Sequence, residues 1–293
     1  MKGIIDNLKS LLPSRAKDTM REGLRCFRML TAPARVTPDF IIIGGQRCGS
    51  TSLYRNLTLH PCVVPVPKKE VHYFDIKYTR SINWYRSYFP AKSYMAYKRW
   101  LRKQNCITGE ASPYYIFHPA VPKRIVETTP DVKLIAILRN PVDRAYSHYH
   151  HEVRRGRETL SFEEAIEREA ERLEGEEDKL LNDLHYYSFN HHHYSYLSRG
   201  IYVEQLKRWM QFFPSQQMMI IKSEDFFHNP PKILKQIFHF LELPDWIPEE
   251  QEKYNVATYP EMDPSTRKHL LKYFEPHNKS LYELLGVTFD WWT

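Results

Sequence analysis

The segment Asp39-Phe-Ile-Ile-Ile-Gly-Gly-Gln-Arg-Cys-Gly-Ser-Thr-Ser-Leu-Tyr54 constrains this chain more than any other. Phe40 to Ile43 is a short apolar run that reads as a buried strand. Gly44, Gly45 and Gly49 follow in a loop, and a helix-like stretch opens near Ser50. A strand, a glycine loop and a helix N-terminus in that order aim backbone N–H groups at a small anion, usually a phosphate. The nucleoside-triphosphate loop has the form G-x-x-x-x-G-K-S/T. The spacing from Gly44 to Gly49 matches it, but Ser50 stands where the lysine belongs and the cation, Arg47, lies inside the loop. The segment therefore suits a phosphate and does not suit an ordinary ATPase or kinase. A tight turn without a ligand is the alternative that the loop alone leaves open.

A chain of 293 residues is long enough for one large α/β domain, and no Gly/Ser/Pro-rich linker divides its middle. We expect a single domain over 36–293, preceded by a basic amphipathic segment over 1–35. In that segment Ile4, Ile5, Leu8, Leu11 and Leu12 share one helical face, and Arg15, Lys17, Arg21, Arg25 and Arg28 follow. It has no continuous apolar core of the secretory kind, and no run in the chain is long enough to span a bilayer. Packing on the protein's own body is the expected fate of this segment, with peripheral contact to an anionic membrane as the alternative. The net charge of +7 and a pI near 9.0 favour anionic partners without choosing among them. Cys26, Cys48, Cys62 and Cys106 lack metal or redox spacing, so a soluble protein of a reducing compartment, the cytoplasm, is expected.

Apolar runs alternate with helical patterns, which predicts a mostly parallel sheet covered by helices. Strands are expected at Phe40–Ile43, Val63–Val66, Cys106–Gly109, Lys133–Leu138 and Met218–Ile221. Helices are expected at Thr51–His60, Ala120–Thr128, Pro141–Arg154, Tyr202–Phe213 and Lys232–Leu241. Ser161-Phe-Glu-Glu164 reads as a capping box opening a charged surface helix. Asp183 to Ser198, rich in Tyr, His and Asn and without a clear period, reads as a long loop.

Two further segments carry chemistry. In Lys133-Leu-Ile-Ala-Ile-Leu-Arg-Asn-Pro-Val-Asp-Arg-Ala-Tyr-Ser-His148 a buried strand ends at Arg139, and Pro141 opens a helix where its missing N–H costs nothing. Arg139 thus falls at the C-terminal edge of the sheet, where open α/β folds hold ligands, and Ser147 two turns on would share an anion with it. In Pro67-Lys-Lys-Glu-Val-His-Tyr-Phe-Asp75, an extended Val71 would turn Glu70 and His72 to the same side. A carboxylate beside an imidazole can take a proton from an acceptor, though such pairs are also common as plain surface polarity.

Taken together and in this order, these motifs resemble the sulfotransferases that use 3′-phosphoadenylyl sulfate (PAPS). The resemblance runs from about Pro38 to Gly286 and is strongest to the branch with the heparan sulfate O- and N-sulfotransferases and their soluble bacterial relatives. It rests also on Gly200-Ile-Tyr-Val-Glu-Gln-Leu and on Phe274-Glu-Pro-His-Asn-Lys-Ser-Leu-Tyr-Glu-Leu-Leu-Gly286. It implies a P-loop-like fold of mostly parallel sheet flanked by helices. It implies that Arg47, Cys48, Gly49, Ser50, Thr51 and Ser52 bind the 5′-phosphosulfate, with Arg47 near the bridging oxygen, and that Arg139 and Ser147 hold the 3′-phosphate. Glu70 would be the general base, supported by His72 and Asp75, and Tyr259 would lie in a late loop closing over the nucleotide. Sulfuryl transfer needs in-line positioning and neutralisation of charge on the leaving oxygen, which cations and N–H groups supply without a metal.

Three features depart from the family pattern. Arg47 stands where lysine is common, and arginine keeps the charge but cannot shuttle a proton. Ala111, in Gly109-Glu-Ala-Ser-Pro113, replaces a lysine of the glycosaminoglycan enzymes. No cysteine follows Cys106, so their C-terminal disulfide loop has no counterpart, and a membrane anchor like theirs is not expected. A heparan acceptor is therefore not expected; a small metabolite, lipid or other saccharide is, with Tyr186–Tyr196 as its wall. A small-molecule kinase and a non-catalytic polyanion binder are the alternative functions. The dispersed, acid-paired basic residues, as in Arg168–Glu171–Arg172, argue against a nucleic-acid partner. His191, His192 and His193 are consecutive and so ill placed to converge on one metal ion.

Overall fold

The computed structural model describes the backbone of residues 14–246 and 259–292. The apolar face at Ile4–Leu12 and most of the loop leading to Tyr259 lie outside the described residues. Five strands form one sheet: β1 (Phe40–Gly44), β2 (Val63–Val64), β3 (Ile107–Ala111), β4 (Lys133–Leu138) and β5 (Met218–Lys222). Their order is β2-β3-β1-β4-β5 and every pairing is parallel. Every residue of β1 and β3 is buried, as expected when helices cover both faces of a parallel sheet. Such strands read as unbroken apolar runs, which is why Phe40–Ile43 and Lys133–Leu138 were legible. Gly109 pairs with Phe40, and a Cβ there would meet the Phe40 carbonyl at 2.4 Å, so the close approach of β3 to β1 needs a glycine.

From β1 the chain passes to the edge strand β2, comes back to β3 on one side of β1 and crosses to β4 on the other. The C-terminal ends of β1, β3 and β4 thus flank the point where the strand order reverses, and the crevice outside them is where open α/β sheets bind ligands. Helix Ser50–Leu59 follows β1 and helix Pro141–Arg154 follows β4. Pro141 occupies the first helical turn, and Asn140 Oδ1 accepts the Val142 N–H at 3.0 Å as its cap. Ser161 and Glu164 form the reciprocal capping box that opens helix Phe162–Glu167. A satellite core under helix Pro141–Arg154 packs Val142 and Ala145 against Phe162, Tyr196 and Phe274.

The stretch 183–198 is not one long loop. It holds a short helix, Phe189–His193, whose N-cap Ser188 accepts the His191 N–H at 2.9 Å. Five residues are too few to display a 3.6-residue period, so sequence pattern could not reveal it. Helices Ile82–Arg86, Lys92–Arg102 and Pro264–Leu285 also went unpredicted. The second of these buries only Met95.

Candidate active site

A cavity of about 820 Å³ opens at the reversal point. The loop after β1 forms its floor. Gly45 N–H donates to the Ile137 carbonyl of β4 at 2.6 Å, and Ser223 Oγ holds the Cys48 carbonyl at 2.7 Å. Arg47 sits at φ 67° and Gly49, the N-cap of helix Ser50–Leu59, at φ 98°. A non-glycine residue in the left-handed region costs free energy and is retained where surrounding structure fixes it, commonly at functional sites. Arg47, Gly49, Ser50, Thr51 and Ser52 line the cavity. Cys48 does not: its thiol is buried, 3.7 Å from Tyr202 Oη, and its N–H reaches the Gly45 carbonyl.

Arg139, Ser147 and Tyr259 line the same cavity. Arg139 donates to the Arg47 carbonyl at 3.5 Å, and Arg47 Nε donates to Ser147 Oγ at 3.1 Å. Tyr259 stacks on His150, with ring centroids 4.7 Å apart. Two cationic residues not singled out from the sequence, Arg154 and Arg155, complete this end. Burial lowers the Arg47 pKa, and its neighbours Arg154 and Arg139 lower it further. For Arg139 burial works the same way, but Tyr259 and Asp143 outweigh it and the pKa rises. The two carboxylates at this end also have other partners. Asp143 pairs with Arg267 at 2.6 Å, and Glu224 accepts the Asn140 N–H at 2.8 Å and the Trp291 indole N–H at 3.3 Å. At this end four arginines, Arg47, Arg139, Arg154 and Arg155, meet two carboxylates that have other partners, which makes it a site for an anion of more than one charge.

Glu70 and His72 line the same cavity. Strand alternation does not bring them there, since neither is extended: Glu70 sits at φ 62° and His72 at φ 57°. Val71 between them is fully buried. The turn is fastened to the end of β3. Glu70 N–H donates to the Ala111 carbonyl at 3.0 Å, Val71 N–H to Glu110 Oε2 at 3.4 Å and His72 N–H to Ser112 Oγ at 3.4 Å. Glu110 is a wholly buried carboxyl that also accepts from the hydroxyls of Tyr85 at 2.7 Å and Ser112 at 2.8 Å. Burial raises its pKa against those hydrogen bonds. A charged residue inside a buried strand was the available signal for this anchor.

His72 Nδ1 lies 2.7 Å from Asp75 Oδ2, and its Nε2 lies 3.8 Å from Glu70 Oε2. Asp75 is buried beneath the imidazole and does not line the cavity. Burial alone would discharge His72, but Asp75 and Glu70 outweigh it and raise its pKa to about 10. Burial likewise pushes Glu70 up, yet His72 and Lys69, the latter 2.6 Å away, bring it down to about 2. The site therefore holds an ionised carboxylate beside an imidazolium at neutral pH. The Glu70 side chain remains 43% exposed, so the carboxylate meets the cavity.

His192 and Tyr114 form the remaining wall, with rings stacked 4.3 Å apart. Behind them Arg199, fully buried, hydrogen-bonds Gln46 Oε1 of the loop after β1 and the carbonyls of His191 and His192. Its guanidinium lies 4.7 Å from the Tyr114 ring centroid. One buried cation thus links the anion loop to the Phe189–His193 helix. His191 and His193 point inward, so only the middle histidine of the run reaches the cavity.

A crevice with an anion loop at a helix N-terminus, a cationic end and an exposed carboxylate defines a group-transfer enzyme of the P-loop-like α/β class. The model of the family described as "Sulfotransferase domain" matches residues 37–273, and the chain belongs to this family. The crystal structure of a sulfotransferase from Alicyclobacillus acidocaldarius is 31% identical to it, with a TM-score of 0.66 over 88% of this chain and 99% of that one. Among curated proteins, the membrane-associated sulfotransferase kil1 of Dictyostelium discoideum is 28% identical over 87% of this chain. Heparan sulfate glucosamine 3-O-sulfotransferase 5 of Mus musculus is 30% identical over 87%. The bifunctional heparan sulfate N-deacetylase/N-sulfotransferase 1 of Caenorhabditis elegans is 30% identical over 85%. The chain spans 66%, 74% and 30% of the lengths of these three relatives.

Proposed function

We propose that this sulfotransferase moves a sulfuryl group from PAPS to an acceptor hydroxyl, with Glu70 as general base. The observation that carries this reading is the convergence of three separate segments on one cavity: the Arg47–Ser52 loop, Arg139 with Ser147, and the Glu70–His72 turn. A nucleotide with phosphate at both the 3′ and 5′ positions matches a crevice with two cationic anchors, Arg47 and Arg139. The acceptor oxygen bonds to sulfur as the sulfur–oxygen bond to the 5′-phosphate breaks, and that phosphate leaves with the electron pair. Arg47 and the N–H groups at the start of helix Ser50–Leu59 neutralise the charge that builds there. The acceptor proton passes to Glu70. A carboxylate held near pKa 2 is a weak base, so the transfer is coupled to sulfur–oxygen bond formation, when the hydroxyl turns acidic.

His192 and Tyr114 present a flat aromatic wall suited to a ring or sugar face, and the acceptor is a metabolite, lipid or saccharide. Relatives named for heparan sulfate favour a saccharide, while Ala111, wholly buried in place of the lysine of those enzymes, disfavours heparan itself. The free thiols favour work in a reducing compartment, the cytoplasm.

Calorimetric titration with adenosine 3′,5′-bisphosphate, AMP and ATP tests the donor assignment. Tight binding that requires the 3′-phosphate is the expected result. Preference for ATP with Mg²⁺ would make the protein a kinase, and polyanion binding without nucleotide binding would make it a non-catalytic binder.

A further inference from the structure

Helix Lys92–Arg102 is hard to account for as part of a folding core. It has eleven residues and buries only Met95. Arg99 adds one tie, donating to the Cys106 carbonyl at 3.2 Å. At 100° per residue, Met95 and Arg99 lie on one side, while Tyr94, Tyr97, Trp100 and Leu101 share the other. All four are exposed, Trp100 to 75% of its surface, and the Tyr97 and Trp100 rings lie 6.2 Å apart. The neighbouring N-terminal helix, Ser14–Leu30, repeats the pattern. Arg28 ties it to the body through the carbonyls of Ser87 and Phe89, while Leu24, Phe27 and Leu30 form an exposed stripe, Leu30 at 83%. Both helices are fastened to the same corner, since Arg35 bridges to Ala91.

Charge decides what such a face can meet. From Ile76 to Gly109 the chain contains eight Lys and Arg residues and not one Asp or Glu. Among the described residues Lys92, Arg102 and Lys103 make no ion pair. Two copies of such a face would repel one another, which disfavours self-association. Nucleic acids and acidic glycans answer the cations and the aromatic rings but offer nothing to Leu24, Leu30 and Leu101. An anionic lipid surface answers all three features: headgroup charge for the cations, the interfacial zone for Tyr and Trp, and acyl chains for the leucines.

We propose that helix Lys92–Arg102, with the exposed stripe of helix Ser14–Leu30, is a docking face for anionic membrane surfaces. The acid-free segment that carries this helix begins beside the Glu70–His72 turn, where Lys77 N–H donates to the His72 carbonyl at 3.0 Å. The inference does not rest on PAPS as donor.

The test is co-sedimentation of the full chain with phosphatidylcholine vesicles, with and without about one-third phosphatidylserine. Binding only to the anionic vesicles, weakened by salt, is expected. Lys98→Gln with Arg102→Gln should weaken it by roughly thirtyfold, at about a tenfold change per 1.4 kcal/mol. Trp100→Ser with Leu101→Ser should abolish it while leaving the circular dichroism spectrum unchanged. Both pairs leave the first 21 residues intact, so undiminished binding in them would assign membrane contact elsewhere and overturn the proposal. Lipids brominated in the acyl chain should quench tryptophan fluorescence in the parent and not in Trp100→Phe. No vesicle binding would overturn the proposal. So would duplex DNA binding insensitive to the Trp100/Leu101 pair, or a dimer in light scattering that this pair dissociates.

Discussion

Arg47 Nε donates to Ser147 Oγ at 3.1 Å, joining the loop after β1 to the second turn of the helix after β4. The proposed sites for the two ends of the donor nucleotide are thus in direct contact. Ser147→Ala should weaken binding of adenosine 3′,5′-bisphosphate about tenfold, the scale of one hydrogen bond to a charged group. AMP affinity should fall less, through the lost support of Arg47 alone. Arg139→Ala should cost more and erase the preference for the 3′-phosphate. Calorimetry on the three proteins checks both; a preference that survives Arg139→Ala would place the 3′-phosphate elsewhere.

Glu70 touches the cavity while His72 and Lys69 hold its charge. Glu70→Gln keeps the shape and removes the base, so turnover should fall by about 10²–10⁴ while product-nucleotide affinity changes little. Equal loss of nucleotide binding would show that Glu70 serves the donor and not the acceptor.

The Asp75–His72–Glu70 chain makes a definite pH prediction. His72 rises from an ordinary 6.5 to about 10, so its stabilising contribution is complete below about pH 6.5 and fades as pH climbs through 10. Glu70 falls from 4.5 to about 2, so its contribution is complete above about pH 4.5 and is lost as pH drops through 2. Both are fully present only between about pH 4.5 and 6.5. The stability gap between the parent and His72→Gln, measured by urea denaturation, should be widest there and should narrow toward pH 10. Activity should show no inflection near 6.5 from His72; one that vanishes in His72→Gln would mean that the imidazole titrates normally.

The sheet was legible because burial on both faces writes β1 and β4 as continuous apolar runs bounded by glycine or an Arg-Asn-Pro turn. That Arg47, Arg139 and Ser147 share one crevice was legible because strand ends in a parallel sheet fix where the crevice opens. The rest depends on long-range contacts that leave little periodic trace. Glu110 and Arg199 act through partners distant in sequence, Val71 and Tyr85 for the one and Gln46 for the other. Glu70 and His72 were placed on one side by strand alternation, and they reach the same cavity through two left-handed residues instead. Helix Phe189–His193 is held by a cap and by buried histidines rather than by an apolar stripe.

Gly49 joins two constraints that can be separated. Its φ of 98° penalises any side chain, and a Cβ there would approach Phe227 to 2.8 Å. Gly49→Ala should therefore lower stability by about 1–3 kcal/mol and disrupt nucleotide binding, because the helix N-terminus it caps would shift. Phe227→Ala removes the steric term and leaves the backbone term. In a double-mutant cycle Gly49→Ala should cost less in the Phe227→Ala background than in the parent, without becoming neutral. Equal cost in both backgrounds would show that the left-handed backbone alone demands glycine. Full recovery would show that Phe227, itself lining the cavity, sets the shape of the loop.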